Sequence, residues 1–122
     1  MNIEQYWQAV LAQDAEAMID YFHADAMIRW HNTNECFHVS EFIRANCEYP
    51  GNWMGEIKRI EQLPQLIITV VHVYSADQSL SFHVTSFLQI KEHKIISLDE
   101  YWSDDGEAPD WRKKLNLGQA IK

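Results

Sequence analysis

The residues best suited to chemistry lie in two short segments, Trp30-His31-Asn32 and Glu100-Tyr101-Trp102. Each belongs to a stretch that alternates apolar and polar side chains, so every second residue shares one face of a strand. Glu100 then lies beside Ile96, Leu98 and Trp102, and Asn32 beside Ile28 and Trp30. A carboxylate among bulky apolar side chains loses hydration, which disfavours its charged form and suits a general acid or base. An amide facing it supplies a hydrogen bond for a water or a substrate oxygen. Glu100 and Asn32 are therefore the candidate catalytic pair, facing each other across a cavity walled by Trp30, Phe82 and Trp102, with Ser86 on the same face. Each has a structural alternative. Glu100 is otherwise a carboxylate satisfied by Asn32, Arg29, Arg44 or loop N–H groups, and Asn32 is otherwise an amide that ties its loop. Asn34 and Glu35 follow in the same polar run and either contact the ligand or organise the turn after the strand.

The remaining reactive residues offer less. The six histidines contain no HxH or HExxH cluster, so no metal and no other cofactor is expected. The two cysteines, Cys36 and Cys47, form no CxxC and read as reduced thiols. No serine sits in a nucleophile elbow. Asp104-Asp105-Gly106 reads as a solvated turn, and Trp111 with Arg112 as a lid that folds back on the cavity.

Elements that could position these side chains follow from periodicity. Ile3, Tyr6, Trp7, Val10 and Leu11 recur at helical spacing, and Asp14 caps a second helix striped by Ala15, Met18, Ile19 and Phe22. "HADA" reads as a turn, Ala26 to Asn32 as a strand, and Ser40 as the cap of a third helix from Glu41 to about Glu48, stopped by "YPG". Beyond Gly51 the chain turns to strands: "WMGEIKRIEQL", "QLIITVVHVY", "LSFHVTSFLQI" and "KIISLDEYW". Helices followed by antiparallel strands make an α+β domain with the helices on one face of a curled sheet. A three-residue turn at Glu92–Lys94 places Phe82, Val84, Ser86 and Leu88 on the face of Leu98, Glu100 and Trp102. An even-numbered loop around Asp77-Gln78 pairs His72 with His83, pointing both away from the core with Tyr74, Thr85 and Phe87. That outward face is too aromatic for plain solvent exposure and suggests a dimer surface.

Composition bounds the function. One domain over residues 1–122 is expected, and 47% hydrophobic residues suffice for a core. Ten Lys+Arg against 18 Asp+Glu give a net charge of −8, a poor match for nucleic acid or an anionic membrane. No secretory leader and no apolar run long enough to span a bilayer is evident, so a cytoplasmic location is expected.

The order helix-helix-strand-helix-sheet, "YFHADAMIRWHNTNECF" and "KIISLDEYWSDDG" resemble the SnoaL-like branch of the nuclear-transport-factor-2-like superfamily, over nearly the whole chain. The resemblance implies a cone, in which a strongly curved antiparallel sheet wraps the N-terminal helices around an internal pocket for a small apolar molecule. It also implies homodimers through the outer sheet face. The activities it implies are of isomerase, cyclase or hydrolase type, alongside noncatalytic binding or dimerising modules. Trp30-His31-Asn32 is similar to the aromatic-x-Asn of limonene epoxide hydrolase, and Glu100-Tyr101-Trp102 to its last-strand carboxylate segment. The Arg and Asp that such an enzyme carries two apart on the strand matching "IITVVHVY" are missing here, so epoxide hydrolysis is not implied. Nor does the isomerase arrangement of a tyrosine and a protonated acid have an unambiguous counterpart, although Tyr6 could reach a pocket.

Overall fold

Helix α1 (Ile3–Ala12) starts where the Asn2 side chain accepts the Gln5 N–H at 3.0 Å, and it stops at Gln13, whose backbone is left-handed (φ 55°). Asp14 caps α2 (Ala15–Ile19), as the sequence suggests. This helix is shorter than its apolar stripe, because Phe22 already opens strand β1 (Phe22–Trp30) beside the last strand. A computed structural model describes residues 1–122. In it "HADA" is no turn but a bulged part of β1. Phe22 pairs with Ile95 and Met27 with Ser97, so the extra residues of β1 are accommodated between those two pairs.

After the turn His31–Asn34, strand β2 (Glu35–His38) pairs back on β1, with Trp30 opposite Glu35. Asn34 takes the left-handed backbone the reversal needs (φ 57°). Helix α3 (Val39–Cys47) begins two residues before the expected start. His38, not Ser40, is its cap, and the Glu41 carboxylate accepts the His38 N–H at 2.9 Å.

Strands β3 (Trp53–Leu63), β4 (Leu66–Ser75), β5 (Ser81–Lys91) and β6 (Lys94–Asp104) complete one curved, unclosed sheet in the order β2-β1-β6-β5-β4-β3. Every pair is antiparallel except β1 with β6, so the sheet is mixed at that seam. A short helix α4 (Asp110–Lys114) follows. His72 does lie opposite His83, across a loop tied by Asp77. Its carboxylate accepts from the Ser79 N–H and from the Ser75 and Ser79 hydroxyls, which lowers its pKa to about 2.

The β5–β6 hairpin reaches the expected register by another route. Its turn has two residues, Glu92 and His93, both left-handed (φ 52° and 68°). Ile90 pairs with Ile95, but Gln89 pairs with Ser97, so Ile96 is an extra residue on β6. The bulge restores Leu88 opposite Leu98, Ser86 opposite Glu100 and Val84 opposite Trp102. It also reverses two neighbours of the expected face: Ile95 is fully buried and Ile96 is 37% exposed.

The concave face of the sheet meets the helices over Tyr6, Trp7, Met18, Phe42, Val71 and Leu98. Thr69 is buried among them because it accepts the Trp7 indole N–H at 3.2 Å. Trp111 is 62% exposed, with the Arg112 guanidinium 5.6 Å from its ring centroid, so it is no lid over the cone. No helix is long and apolar enough to cross a membrane.

Candidate functional site

Glu100 is 2% exposed and sits where β1, β5 and β6 run side by side. The residue opposite it on β1 is Trp30, and on β5 Ser86. Both reach its carboxyl: the Trp30 indole N–H donates to Oε1 at 3.0 Å and the Ser86 hydroxyl to Oε2 at 2.6 Å. Burial raises the pKa of Glu100, and the donors pull against that without cancelling it. The Trp102 indole N–H lies near enough to favour the charged form but has no partner in hydrogen-bonding geometry. The Tyr6 hydroxyl is also buried without a partner, and its pKa is raised by burial first and by Glu100 second.

Asn32 does not face Glu100. It lies beyond the end of β1, in the turn, where its Oδ1 accepts the Trp102 backbone N–H at 2.8 Å. The bond ties the end of β6 to the β1–β2 turn, and the side chain that meets Glu100 in the place expected of Asn32 is Trp30. Asn34 and Glu35 are further away, lining a shallow outer depression with Arg29, His31 and Cys36. Glu35 accepts the Thr33 hydroxyl at 2.6 Å, a contact that stabilises the turn. The alternative partners Arg29 and Arg44 are engaged elsewhere, with Asp99 and Glu48.

The open end of the cone holds a half-open aromatic mouth of about 250 Å³ between the end of α3 and the ends of β5 and β6. Trp30, Phe82, Trp102 and Tyr49 form its apolar walls, and Asn32, Thr33, Asn46 and Asp104 its polar rim. A smaller cavity of about 50 Å³ lies beneath α1, and Asn46, Tyr49, Phe82 and Trp102 are walls of both. Trp53 lines the inner one, and its indole N–H is buried and unpaired. Ser86 and Glu100 line neither; Trp30 joins them to the mouth, since its ring forms a wall and its N–H holds the carboxyl.

Tyr49, Asn46 and Trp53 escaped sequence reasoning. The signal for Tyr49 was its place just before Pro50-Gly51, where the helix must end. Gln13 then fastens that end to α1, donating its amide to the carbonyls of Asn46 and Tyr49 at 2.8 and 2.7 Å. On the outer face His72 and His83 stack 4.8 Å apart, and Asp105 binds His83 and the Ser81 hydroxyl. Burial opposes the ionisation of Asp105, but these bonds hold its pKa below the ordinary value. No group of three His, Cys, Asp or Glu side chains is arranged to hold a metal ion.

No family model and no curated protein matches the sequence. Solved structures do match. An NTF-2-like protein of unknown function from Burkholderia xenovorans LB400 is 24% identical, covers 98% of this chain and 92% of its own, and superposes with a TM-score of 0.79. A proposed ketosteroid isomerase from Kribbella flavida DSM 17836 is 17% identical, with 98% and 87% covered and a TM-score of 0.81. The fold is the nuclear-transport-factor-2-like cone. An epoxide hydrolase of the LEH-like type from M. tuberculosis shares it at 12% identity, with 83% and 79% covered and a TM-score of 0.67. At these identities the nuclear-transport-factor-2-like likeness extends to architecture, and chemistry must be argued from the site.

Proposed function

We propose that this protein binds a small, flat, largely apolar molecule in the aromatic mouth and that Glu100 serves it as an acid/base group, in chemistry of isomerase, cyclase or hydrolase type. The observation that carries the reading is the Trp30 indole. It is at once a wall of the mouth and the hydrogen-bond donor to a buried carboxyl of raised pKa. A ligand stacked on Trp30 alters that hydrogen bond, so the proton affinity of Glu100 is coupled to occupancy of the mouth. Asn32 supports the site from the rim by holding the Trp102 backbone, with its amide N–H group left to meet a ligand.

A noncatalytic binding module is the second reading. It is favoured by the two hydrogen bonds that occupy both oxygens of Glu100 and by the absence of Glu100 from either cavity wall. Turnover of a panel of small ketones, enones and epoxides, followed by mass spectrometry for wild type and Glu100→Gln, separates the two. Product formed by wild type alone supports acid/base catalysis. Binding by both proteins with turnover by neither leaves the noncatalytic module.

The outer face carries His72, Tyr74, His83, Phe87 and Tyr101, with His31 stacked 4.4 Å from Tyr101. We propose that a second copy of the chain covers it, forming a homodimer. Sedimentation at micromolar to millimolar concentration should show the dimer; a monomer throughout would reject it.

A further inference from the structure

We propose that the ligand of the mouth is an organic cation, an alkyl- or arylammonium, whose charged head lies between Asp104 and the aromatic walls. The inference rests on the binding reading above and narrows its ligand class.

Asp104 is the one charged side chain that lines the mouth. Alternation along β6 sets it on the face of Trp102, and the hairpin register sets it opposite Phe82. Its neighbour Asp105 is taken up on the outer face by Ser81 and His83. The ion pairs of the protein engage Glu48, Glu56, Glu61, Asp99, Asp105 and Glu107, so no cation of the chain stands against Asp104. No Lys, Arg or His lines the mouth or the inner cavity. Arg44, in the adjoining depression beyond Ala45 and Tyr49, is held by Glu48. An anion brought into the mouth would meet negative charge with no counter-ion, whereas a cation would supply the one that is missing. The net charge of −8 draws cations toward the protein as a whole.

The walls select among cations. Asp104 is exposed, and a solvated carboxylate alone holds a cation weakly. The rings beside it add to that attraction. Trp30 and Trp102 lie 6.5 Å apart with planes at 72°, and Trp102 and Phe82 6.1 Å apart at 82°. Successive rings therefore stand almost at right angles, like adjoining sides of a box, and Tyr49 adds a fourth from just past the end of α3. Aromatic rings attract cations, tryptophan most strongly, and an alkylated ammonium sheds water at little cost. A metal ion would need several oxygen ligands, and the mouth offers one carboxylate.

The test uses phenyltrimethylammonium, acetophenone and benzoate, which share a ring and differ in the charge of the head. Affinities are read from tryptophan fluorescence for wild type, Asp104→Asn and Asp104→Lys. In wild type the ammonium should bind about tenfold more tightly than acetophenone, and benzoate most weakly. Asp104→Asn keeps the size of the side chain and removes its charge. It should lower the ratio of ammonium to acetophenone affinity by about fivefold. Asp104→Lys should reverse the order of ammonium and benzoate. Retained acetophenone binding shows that the walls of each variant are intact. An ammonium bound no more tightly than acetophenone, or a ratio unchanged in Asp104→Asn, overturns the cation inference and leaves the binding reading standing. Failure of all three probes to bind wild type overturns both.

Discussion

Glu100 and Ser86 allow a prediction whose sign depends on pH. The Glu100 pKa lies above the ordinary value of 4.5, with burial as the largest cause. The folded state therefore binds more protons than the unfolded chain between pH 4.5 and the folded value, and stability falls as pH rises across that window. Above it the penalty is about 1.4 kcal/mol for each pH unit by which the folded value exceeds the unfolded one. Glu100→Gln keeps the shape, removes the charge, and can still accept from Trp30 while donating to Ser86. It is expected to equal or exceed wild type at neutral pH and to lose that advantage in acid. Ser86→Ala should do the opposite. It deletes a 2.6 Å hydrogen bond to a buried carboxylate, costing about 1.5–3 kcal/mol where Glu100 is charged and about 1 kcal/mol where it is neutral. Urea denaturation of the three proteins from acid to neutral pH measures this, and differences from wild type cancel the general effect of the −8 net charge. A Ser86→Ala loss that is constant with pH, with Glu100→Gln destabilised at neutral pH, would refute the reasoning.

Further outcomes follow from close contacts elsewhere. A Cβ at Gly55 would stand 2.8 Å from Leu11 Cδ1 and 3.1 Å from the His72 carbonyl oxygen, so Gly55→Ala should cost about 1–3 kcal/mol. Adding Leu11→Ala should recover part of that loss, as thermal melts of the single and double variants will show. Asn32→Ala removes the acceptor for the Trp102 backbone N–H and should cost about 1 kcal/mol, whereas Asn32→Asp, which keeps an acceptor, should lose less; denaturation midpoints check both. Leu98→Ala, at a fully buried position, should cost about 2–5 kcal/mol in the same assay.

The fold is legible in the sequence where periodicity and burial act together. Alternation placed Phe82, Val84, Ser86 and Leu88 with Leu98, Glu100 and Trp102, because a slip of one residue would turn the whole apolar set to solvent. How that register arises is not legible, since the bulge at Ile96 leaves no compositional mark and is set by tertiary pairing. The alternation of β1 also runs on through Asn32, although the chain leaves the sheet after Trp30. That difference of two residues moved the partner of Glu100 from an amide to an indole. Asn46 and Tyr49 are missed as lining residues for another reason: Pro50-Gly51 marks only where α3 ends, whereas a mouth built from that end and the ends of β5 and β6 depends on packing between distant segments, which no local pattern records.

Carboxyl NMR of Glu100, titrated with and without saturating acetophenone, tests most directly whether the buried carboxyl and the aromatic mouth act as one site. The account predicts a pKa above 4.5 in the free protein and a further change when the mouth is filled. An ordinary pKa, or one that does not respond to a bound ligand, would contradict it.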